Sequence, residues 1–132
     1  MKRTVNELDR SIQSDAAAHQ KAMSAPISEV VRELVRLLGA TTVAVIGGVK
    51  ETRAVLQWTQ GRAPQREHTL RFALQLAQML SSYADREFAL AWFHGSNPHV
   101  DDEVPMLLLR DQPLAEIQVR LMHAAREFAT AS

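Results

Sequence analysis

The 132-residue sequence contains no cysteine, and this absence excludes a disulfide framework, a thiol nucleophile and a zinc site built on thiolates. It also lacks long apolar runs. None approaches the ~18 residues of a membrane-spanning helix, and the first residues have no apolar core of the kind found in secretory signal peptides. We therefore expect a cytoplasmic protein that has no contact with a membrane.

The sequence has no excess of charge, since 15 basic residues balance 15 acidic ones. No overall basic field therefore indicates nucleic acid. The charge is unevenly placed, however. Five basic residues oppose two acidic ones over residues 41–71, a difference of +3, and seven acidic residues oppose two arginines over residues 85–116, a difference of −5. This pattern suits two different partners, and scattered solvated charge explains it equally well.

Alanine and leucine outnumber β-branched residues, which favours helices, and the length allows one domain or two small units with a shared core. The apolar periodicity predicts an all-α fold. We expect a polar N-terminal arm over residues 1–25, a helix-turn-helix-like part over 26–82 and a C-terminal helical part over 83–132. A central helix over 66–81 is shared by the last two parts. In the arm only Val5, Leu8 and Ile12 recur at helical spacing, which predicts a frayed arm or a helix ordered against a partner.

Two short helices, over residues 41–46 and 50–58, are predicted around the Gly47-Gly48 pair, with Thr41 or Thr42 as a cap for the first. Together with a closing Trp58 they have the organisation of a helix-turn-helix. A strand over residues 43–49 running into a phosphate-binding loop is the alternative. It lacks the spacings G-x-G-x-x-G and G-x-x-x-x-G-K-[ST], so the helical interpretation is favoured.

The outward side of the second short helix carries side chains of the type that contact DNA bases. Arginine can form bidentate hydrogen bonds to guanine and glutamine to adenine, and arginines beyond the helix can contact phosphates. The candidate DNA-binding residues are Lys50, Thr52, Arg53, Gln57, Arg62 and Arg66. A solvated basic face is an equal alternative. Trp58 and Trp92 lie on apolar helical faces, so we expect core packing rather than base stacking.

No motif indicates catalysis. His94, His99 and the acidic run 101–103 have neither a helical H-x-x-x-H register nor a soft ligand, so we expect a polar loop rather than a metal site. Ser81, Ser82 and Ser96 lack a G-x-S-x-G setting, and serine is common where it bonds its own backbone. We expect no catalytic residue, no cofactor, no metal and no enzymatic activity. A small metal-dependent hydrolase using residues 94–103 is the disfavoured alternative.

A spaced motif runs through the last third of the chain. It consists of Trp92, Asn97, Pro98, Val100, Pro105 and the run Leu108-Leu109-Arg110. This order resembles the toxin-binding domain of the Xre/MbcA/ParS antitoxin family, although Val100 stands where Leu is usual and 111–113 (Asp-Gln-Pro) stand where a glycine turn often follows. The run Trp58-Thr59-Gln60-Gly61 before Pro64 is similar to the end of an Xre-type helix-turn-helix, with Gly48 one residue further from Trp58 than in the tightest form.

The resemblance implies the antitoxin of a type II toxin–antitoxin pair, in which the C-terminal region covers the active-site entrance of a RES-domain toxin that consumes NAD. Many members of the family also repress their own operon. The motif positions carried over, most of them expected to be structural, are Trp92, Asn97, Pro98, Pro105, Leu108 and Arg110. The expected toxin-facing residues, on the exposed side of the last helix, are Arg120, His123, Arg126 and Glu127.

The neutral net charge predicts strong binding to operator DNA only for a homodimer, in which two recognition helices add their contacts. Two alternatives stay open beside the antitoxin. One is a helical partner-binding module whose helix-turn-helix is only scaffold, and the other is a transcriptional regulator without a toxin.

Overall fold

The computed structural model describes residues 16, 17, 19, 20 and 22–131. Within them the protein is all-helical and has no strand, which confirms the predicted fold class. The helices are α1 (Ile27–Leu38), α2 (Ala40–Ile46), α3 (Thr52–Thr59), α4 (Glu67–Tyr83), α5 (Arg86–His94), α6 (Pro105–Asp111) and α7 (Leu114–Ala131), with a 3₁₀ turn (Pro98–Val100) between α5 and α6. The apolar residues predicted for the arm, Val5 to Ile12, lie outside the described residues.

The central helix α4 buries side chains on most of its circumference and packs against α1, α2, α5 and α7. Its fully or nearly buried residues are Leu70, Phe72, Ala73, Leu74, Leu76, Ala77, Met79 and Leu80. Each large apolar side chain removed from water contributes roughly 1.5–3 kcal/mol before entropy is counted. The prediction of a central helix over 66–81 is correct in position. The observed helix begins at Glu67, one residue later than predicted, and ends at Tyr83, two residues later than predicted.

Helix α1 packs its apolar stripe on α4 and ends at Gly39. The φ of Gly39 is +84°, a value that strains a residue with a Cβ, so glycine lets α2 begin at Ala40 without a connecting loop. The predicted cap of α2 is wrong. The helix has no side-chain cap, and Thr42 is buried with its hydroxyl 2.8 Å from His94 Nε2 of α5.

Helices α2 and α3 pack against each other and against α1, and residues 47–51 connect them. The alternative of a strand over 43–49 is wrong, because α2 continues to Ile46 and residues 47 and 48 form a turn. A Cβ at Gly47 would lie 2.6 Å from the Trp58 ring, so only glycine allows this ring to pack on the turn. Lys50 was predicted within the second short helix, but α3 begins at Thr52 and Lys50 lies in the connection before it.

The connection from α5 to α6 is organised by Asn97, which is buried. Its side-chain oxygen accepts a hydrogen bond from the backbone N–H of His99 at 2.8 Å, and its backbone carbonyl accepts from Val100 and Asp102. Asn97 thereby satisfies the amides of the 3₁₀ turn, while Val100 enters the core. Pro105 then begins α6, where a missing N–H costs nothing.

Both tryptophans are buried, which confirms their predicted place in the core. Trp92 is 2% exposed and its ring meets that of Phe93 edge-on at a centroid distance of 5.0 Å. Its indole N–H has no hydrogen-bond partner among the described residues. Asp85 caps α5 by accepting a hydrogen bond from the Phe88 N–H at 2.9 Å. Among the described helices, none has the length and apolar character needed to cross a bilayer.

Trp92→Ala is expected to lower the free energy of unfolding by about 3–5 kcal/mol, because it leaves a cavity in the core. Trp92→Phe keeps an aromatic ring and removes an unpaired N–H, so its cost is expected to be only about 1–2 kcal/mol. Urea denaturation followed by circular dichroism measures both. An unfolding midpoint of Trp92→Ala equal to that of the wild type would contradict the core assignment.

Candidate functional site

Two exposed surfaces carry the residues that the sequence singled out. The first, named the α3 surface, consists of Lys50, Thr52, Arg53, Leu56 and Arg62. Helix α3 turns Val55 and Trp58 into the core, so its opposite side faces solvent. Leu56 is 58% exposed and lies three positions after Arg53, on the same side. The sequence predicted only polar residues for this surface, although the helical spacing of Leu56 from Arg53 also indicates an exposed position.

Gln57, which was predicted to lie with Arg53 on the outward side of this helix, is not fully exposed there. It is half-buried and lines a cleft of about 410 Å³ together with Gly48, Trp58, Arg62 and Arg66. Its backbone carbonyl accepts a hydrogen bond from the Arg62 N–H at 3.1 Å, which turns the chain back along α3. Gln57 therefore occupies the edge of the α3 surface.

The exposed Arg66 side chain lies along the protein surface and is held there by two contacts. Its guanidinium lies over Gly48, where a Cβ would approach Arg66 Cζ to 2.7 Å. Its Nη1 donates to the backbone carbonyl of Arg110, at the end of α6. This side chain thus joins the turn between α2 and α3 to the end of α6, and a phosphate contact by Arg66 would have to disturb that junction.

Arg71 is also engaged internally. Its Nη1 donates to the backbone carbonyls of Ala22 at 3.0 Å and Ala25 at 2.6 Å. Of the five basic residues of segment 41–71, only Lys50, Arg53 and Arg62 are exposed and make neither an ion pair nor a side-chain hydrogen bond among the described residues. The positive surface is consequently smaller than the sequence count suggests.

The end of α6 contains an exposed ion pair. Arg110 donates from Nε and Nη2 to the two carboxylate oxygens of Asp111 at 2.6 and 2.9 Å. This hydrogen bonding, with the positive charges of Arg110 and Arg66, lowers the pKa of Asp111 against the weaker opposing effect of desolvation. The same contact raises the pKa of Arg110. Arg110, a motif residue, therefore acts on the conformation of the turn into α7.

The second surface, named the α7 surface, contains the four predicted toxin-facing residues. All four lie on the exposed side of the helix, as predicted. Arg120 Nη2 donates to Asp101 Oδ2 at 3.0 Å, and the His123 ring lies edge-on to that of His99 at 5.7 Å. These contacts bring the 97–103 connection and α7 together as one surface, a proximity that the sequence did not show.

An apolar groove adjoins the α7 surface. It has a volume of about 460 Å³ and lies between α4, which provides Phe72 and Gln75, and α7, which provides Val119 and Met122. His19 closes one side of it. Val119 is 81% exposed, the most exposed large apolar side chain of the described residues. The sequence did not predict this groove, because Phe72 and Val119 are far apart along the chain.

The remaining polar candidates have packing partners. Ser81 and Ser82 donate from their hydroxyls to the carbonyls of Gln78 and Met79, three residues earlier, as expected at a helix end. Among the described residues, no group of three or more His, Asp or Glu side chains is placed to hold a metal ion. His94 is turned to α2 and His99 to α7, so the residues of the 94–103 segment diverge.

The Arg110–Asp111 pair generates a pH prediction. The Asp111 carboxylate is expected to titrate below the ordinary value in NMR spectra, and Arg110→Gln is expected to return it towards that value. Because the folded pKa is the lower one, the pair stabilises the fold above the unfolded pKa, and this contribution is lost as the pH falls through the folded value. An unchanged Asp111 titration in Arg110→Gln would contradict the pairing.

The sequence and the structure were compared with known proteins. A scan against protein-family models gave no match, and searches of curated proteins and of solved structures gave none of significance. The functional interpretation therefore depends on the α3 surface, on the α7 surface and on the motif of residues 92–110 that packs beside α7.

Proposed function

We propose that this protein is a cytoplasmic antitoxin of a type II toxin–antitoxin system that binds and neutralises a RES-domain, NAD-consuming toxin through its α7 surface, and that as a homodimer it represses its own operon through its α3 surface. It acts without a cofactor and is not itself an enzyme. The observation that carries the proposal is the composition of the α7 surface. This surface lies next to the α5–α6 region, which contains the motif that resembles the antitoxin family.

Burial of the motif residues gives α7 its position. Trp92, Asn97, Pro105 and Leu108 are buried, and Pro98 begins the 3₁₀ turn that Asn97 caps. They pack the α5–α6 connection against the core, so that α6 and the 3₁₀ turn contact α7. The burial of these residues supports the expectation that most motif residues maintain the fold rather than contact a partner.

The exposed residues that result have the composition of a protein interface. Val119 provides an exposed apolar centre, and Arg120, His123 and Arg126 surround it with hydrogen-bond donors. Interfaces favour arginine and apolar side chains at their centre, and a few such residues carry most of the binding energy. Glu127 at the edge adds an acceptor. Because this surface would neutralise the toxin by covering its NAD site, neutralisation requires no catalytic residue in the antitoxin.

The repressor part of the proposal is supported by the α3 surface. Arg53 and Thr52 are exposed on a short helix that follows another short helix and a glycine turn. Leu56, beside Arg53, adds an apolar group of the kind that contacts a thymine methyl. Arg62 is exposed just beyond the helix and suits a phosphate.

A partner-binding module without DNA binding is the second candidate. It is favoured by the internal engagement of Arg66 and Arg71, which leaves three cations on and around α3. Three phosphate contacts per protomer give weak affinity at physiological salt, so DNA repression requires the homodimer.

Neutralisation is tested with the toxin of the neighbouring gene. Arg126→Ala and Val119→Asp are each expected to weaken toxin binding about 10- to 100-fold, because truncation of central interface residues typically costs ~1.4–2.8 kcal/mol or more. Calorimetric titration and rescue of growth on co-expression measure the effect. Arg36→Ala, an exposed arginine on α1, is the matched control. Deletion of α7 is unsuitable, because Ile117, Leu121 and Ala124 belong to the core. Wild-type affinity in both α7 variants would refute the proposed site.

DNA binding is tested by anisotropy titration against the promoter upstream of the gene at several salt concentrations. Arg53→Ala is expected to relax specificity, with a loss of about 1–3 kcal/mol of discrimination at one base pair. Arg62→Ala is expected to weaken binding to all sequences and to reduce the salt slope by about 1 per site. Arg66→Ala is also expected to weaken DNA binding, but with a fall in stability, since it breaks the bond to Arg110. If the wild type shows no sequence-specific binding, alone or with its toxin, the second candidate replaces the first.

A further inference from the structure

The cleft that Gln57 lines is large enough to hold a small molecule. This concavity, named the α3–α4 cleft, has a volume of about 410 Å³ and lies between the glycine turn at residues 47–49, one side of α3 and the connection that leads into α4. Proteins bind small molecules in clefts of roughly 300–1,000 Å³ that combine an apolar wall with a few polar groups. The apolar wall of this cleft is formed by Val49, Ala54 and Trp58, and its polar wall by Gln57, Arg62, Gln65 and Arg66.

The polar wall of the α3–α4 cleft carries hydrogen-bond donors and positive charge. Each of its four side chains has N–H donors, two of them are guanidinium groups, and none of the residues that line the cleft is acidic. The Arg62 side chain is exposed and makes no ion pair among the described residues. A wall of this composition favours a ligand that presents an anionic group with several acceptor oxygens.

Arg66 is already held in the wall of the cleft. Its guanidinium lies over Gly48, where a Cβ would approach Cζ to 2.7 Å, and its Nη1 donates to the backbone carbonyl of Arg110. A guanidinium has five N–H donors, so this bond leaves others for a ligand. A DNA phosphate outside the cleft would have to draw Arg66 from its junction, whereas a small ligand inside the cleft meets the guanidinium where it lies. Such a prepositioned side chain lowers the entropic cost of binding.

The charge of the cleft matches a phosphate monoester. A phosphate monoester carries a charge of about −1.5 to −2 at neutral pH and three strong acceptor oxygens, and arginine binds such groups bidentately. A carboxylate would balance only one of the two guanidinium groups. Asp111 also interacts with the charge of Arg66, but both of its carboxylate oxygens accept hydrogen bonds from Arg110. Arg62 and Arg66 together therefore suit a doubly charged group.

We propose that the α3–α4 cleft binds a small phosphate monoester, with its phosphate between Arg62 and Arg66 and its apolar portion against Val49 and Ala54. Inorganic phosphate alone would leave the apolar wall uncovered, so the ligand carries an apolar or ring-shaped group beside its phosphate. One consequence rests on the proposed function. Because Arg62 also belongs to the α3 surface, the ligand and operator DNA would compete for this side chain.

Phenyl phosphate is a suitable probe, because it joins an apolar ring to a phosphate monoester. It is titrated into the ¹⁵N-labelled full chain and followed by NMR. The backbone amides of Gly47 and Gly48 and the side-chain amide of Gln65 are expected to shift and to saturate, since these residues line the cleft. Phenol and inorganic phosphate each lack one half of the ligand and are expected to bind at least about tenfold more weakly. A short DNA duplex, whose phosphates stay outside the cleft, is expected to leave the Gln65 side-chain signal unchanged.

Two variants of exposed residues locate the site. Gln65→Glu brings a carboxylate next to the phosphate and is expected to weaken binding of phenyl phosphate about tenfold or more. Gln60→Glu is its matched control, because it makes the same change at an exposed glutamine that does not line the cleft. Arg62→Gln removes one guanidinium and is expected to cause a loss of similar size. Its control is Arg53→Gln, which removes an exposed arginine of α3 outside the cleft.

Circular dichroism checks that each variant is folded. The absence of saturable shifts at the cleft would overturn the proposal, as would equal losses of affinity in Gln65→Glu and Gln60→Glu. Equal affinity for phenol or for inorganic phosphate would overturn the ligand class. Equal shifts with the DNA duplex would also overturn it, because the DNA backbone would then be the source of the phosphate. The titration uses neither toxin nor operator, so failure here is distinguishable from failure of the proposed function.

Discussion

Burial of the apolar circumference of α4 is the interaction on which the rest of the described structure depends. α1, α2, α5 and α7 pack directly on this helix. The other two helices reach α4 indirectly. α3 packs on α1 and α2, and α6 packs on α2, α5 and α7. A helix buried on so many sides leaves its neighbours only their outer faces for function. Both candidate surfaces accordingly lie on peripheral helices, α3 and α7, whose inner sides are committed to the core.

Residues 26–82 and residues 83–131 are connected by polar as well as apolar contacts. Arg66 spans from the start of α4 to the carbonyl of Arg110, and it can do so because Gly48 has no Cβ in its way. Thr42 meets His94 across the same boundary. A partner that moves α6 therefore acts on the side chain that packs over the glycine turn before α3. Under the proposed function, this contact is a route by which toxin binding and DNA binding would influence each other.

A net charge of zero does not describe the surface of this protein. Arg71 and Arg66 are bound to backbone carbonyls, and Arg110 and Arg120 are paired with aspartates. Exposed pairs of this kind contribute little stability, but they determine which charges remain available to a partner. In the part of the chain that the structure describes, the cations left available are a small set around α3, and Arg126 beside an apolar patch on α7.

Local patterns in the sequence determined much of the fold. The stripes of α1, α4 and α7, the Asp85 cap, Pro105 at the start of α6 and the burial of Trp92 all follow from spacing or from the chemistry of single residues, and all are present. Spacing also placed Arg120, His123, Arg126 and Glu127 on the exposed side of α7. Features that depend on residues far apart along the chain were decided only by the tertiary structure. Thr42 became a core residue instead of a cap because His94 lies beside it, and Arg66 became a junction instead of a free cation because α6 ends beside it. The groove with Phe72 and Val119 exists only where α4 and α7 meet, since two helix faces form a concave surface only after they pack.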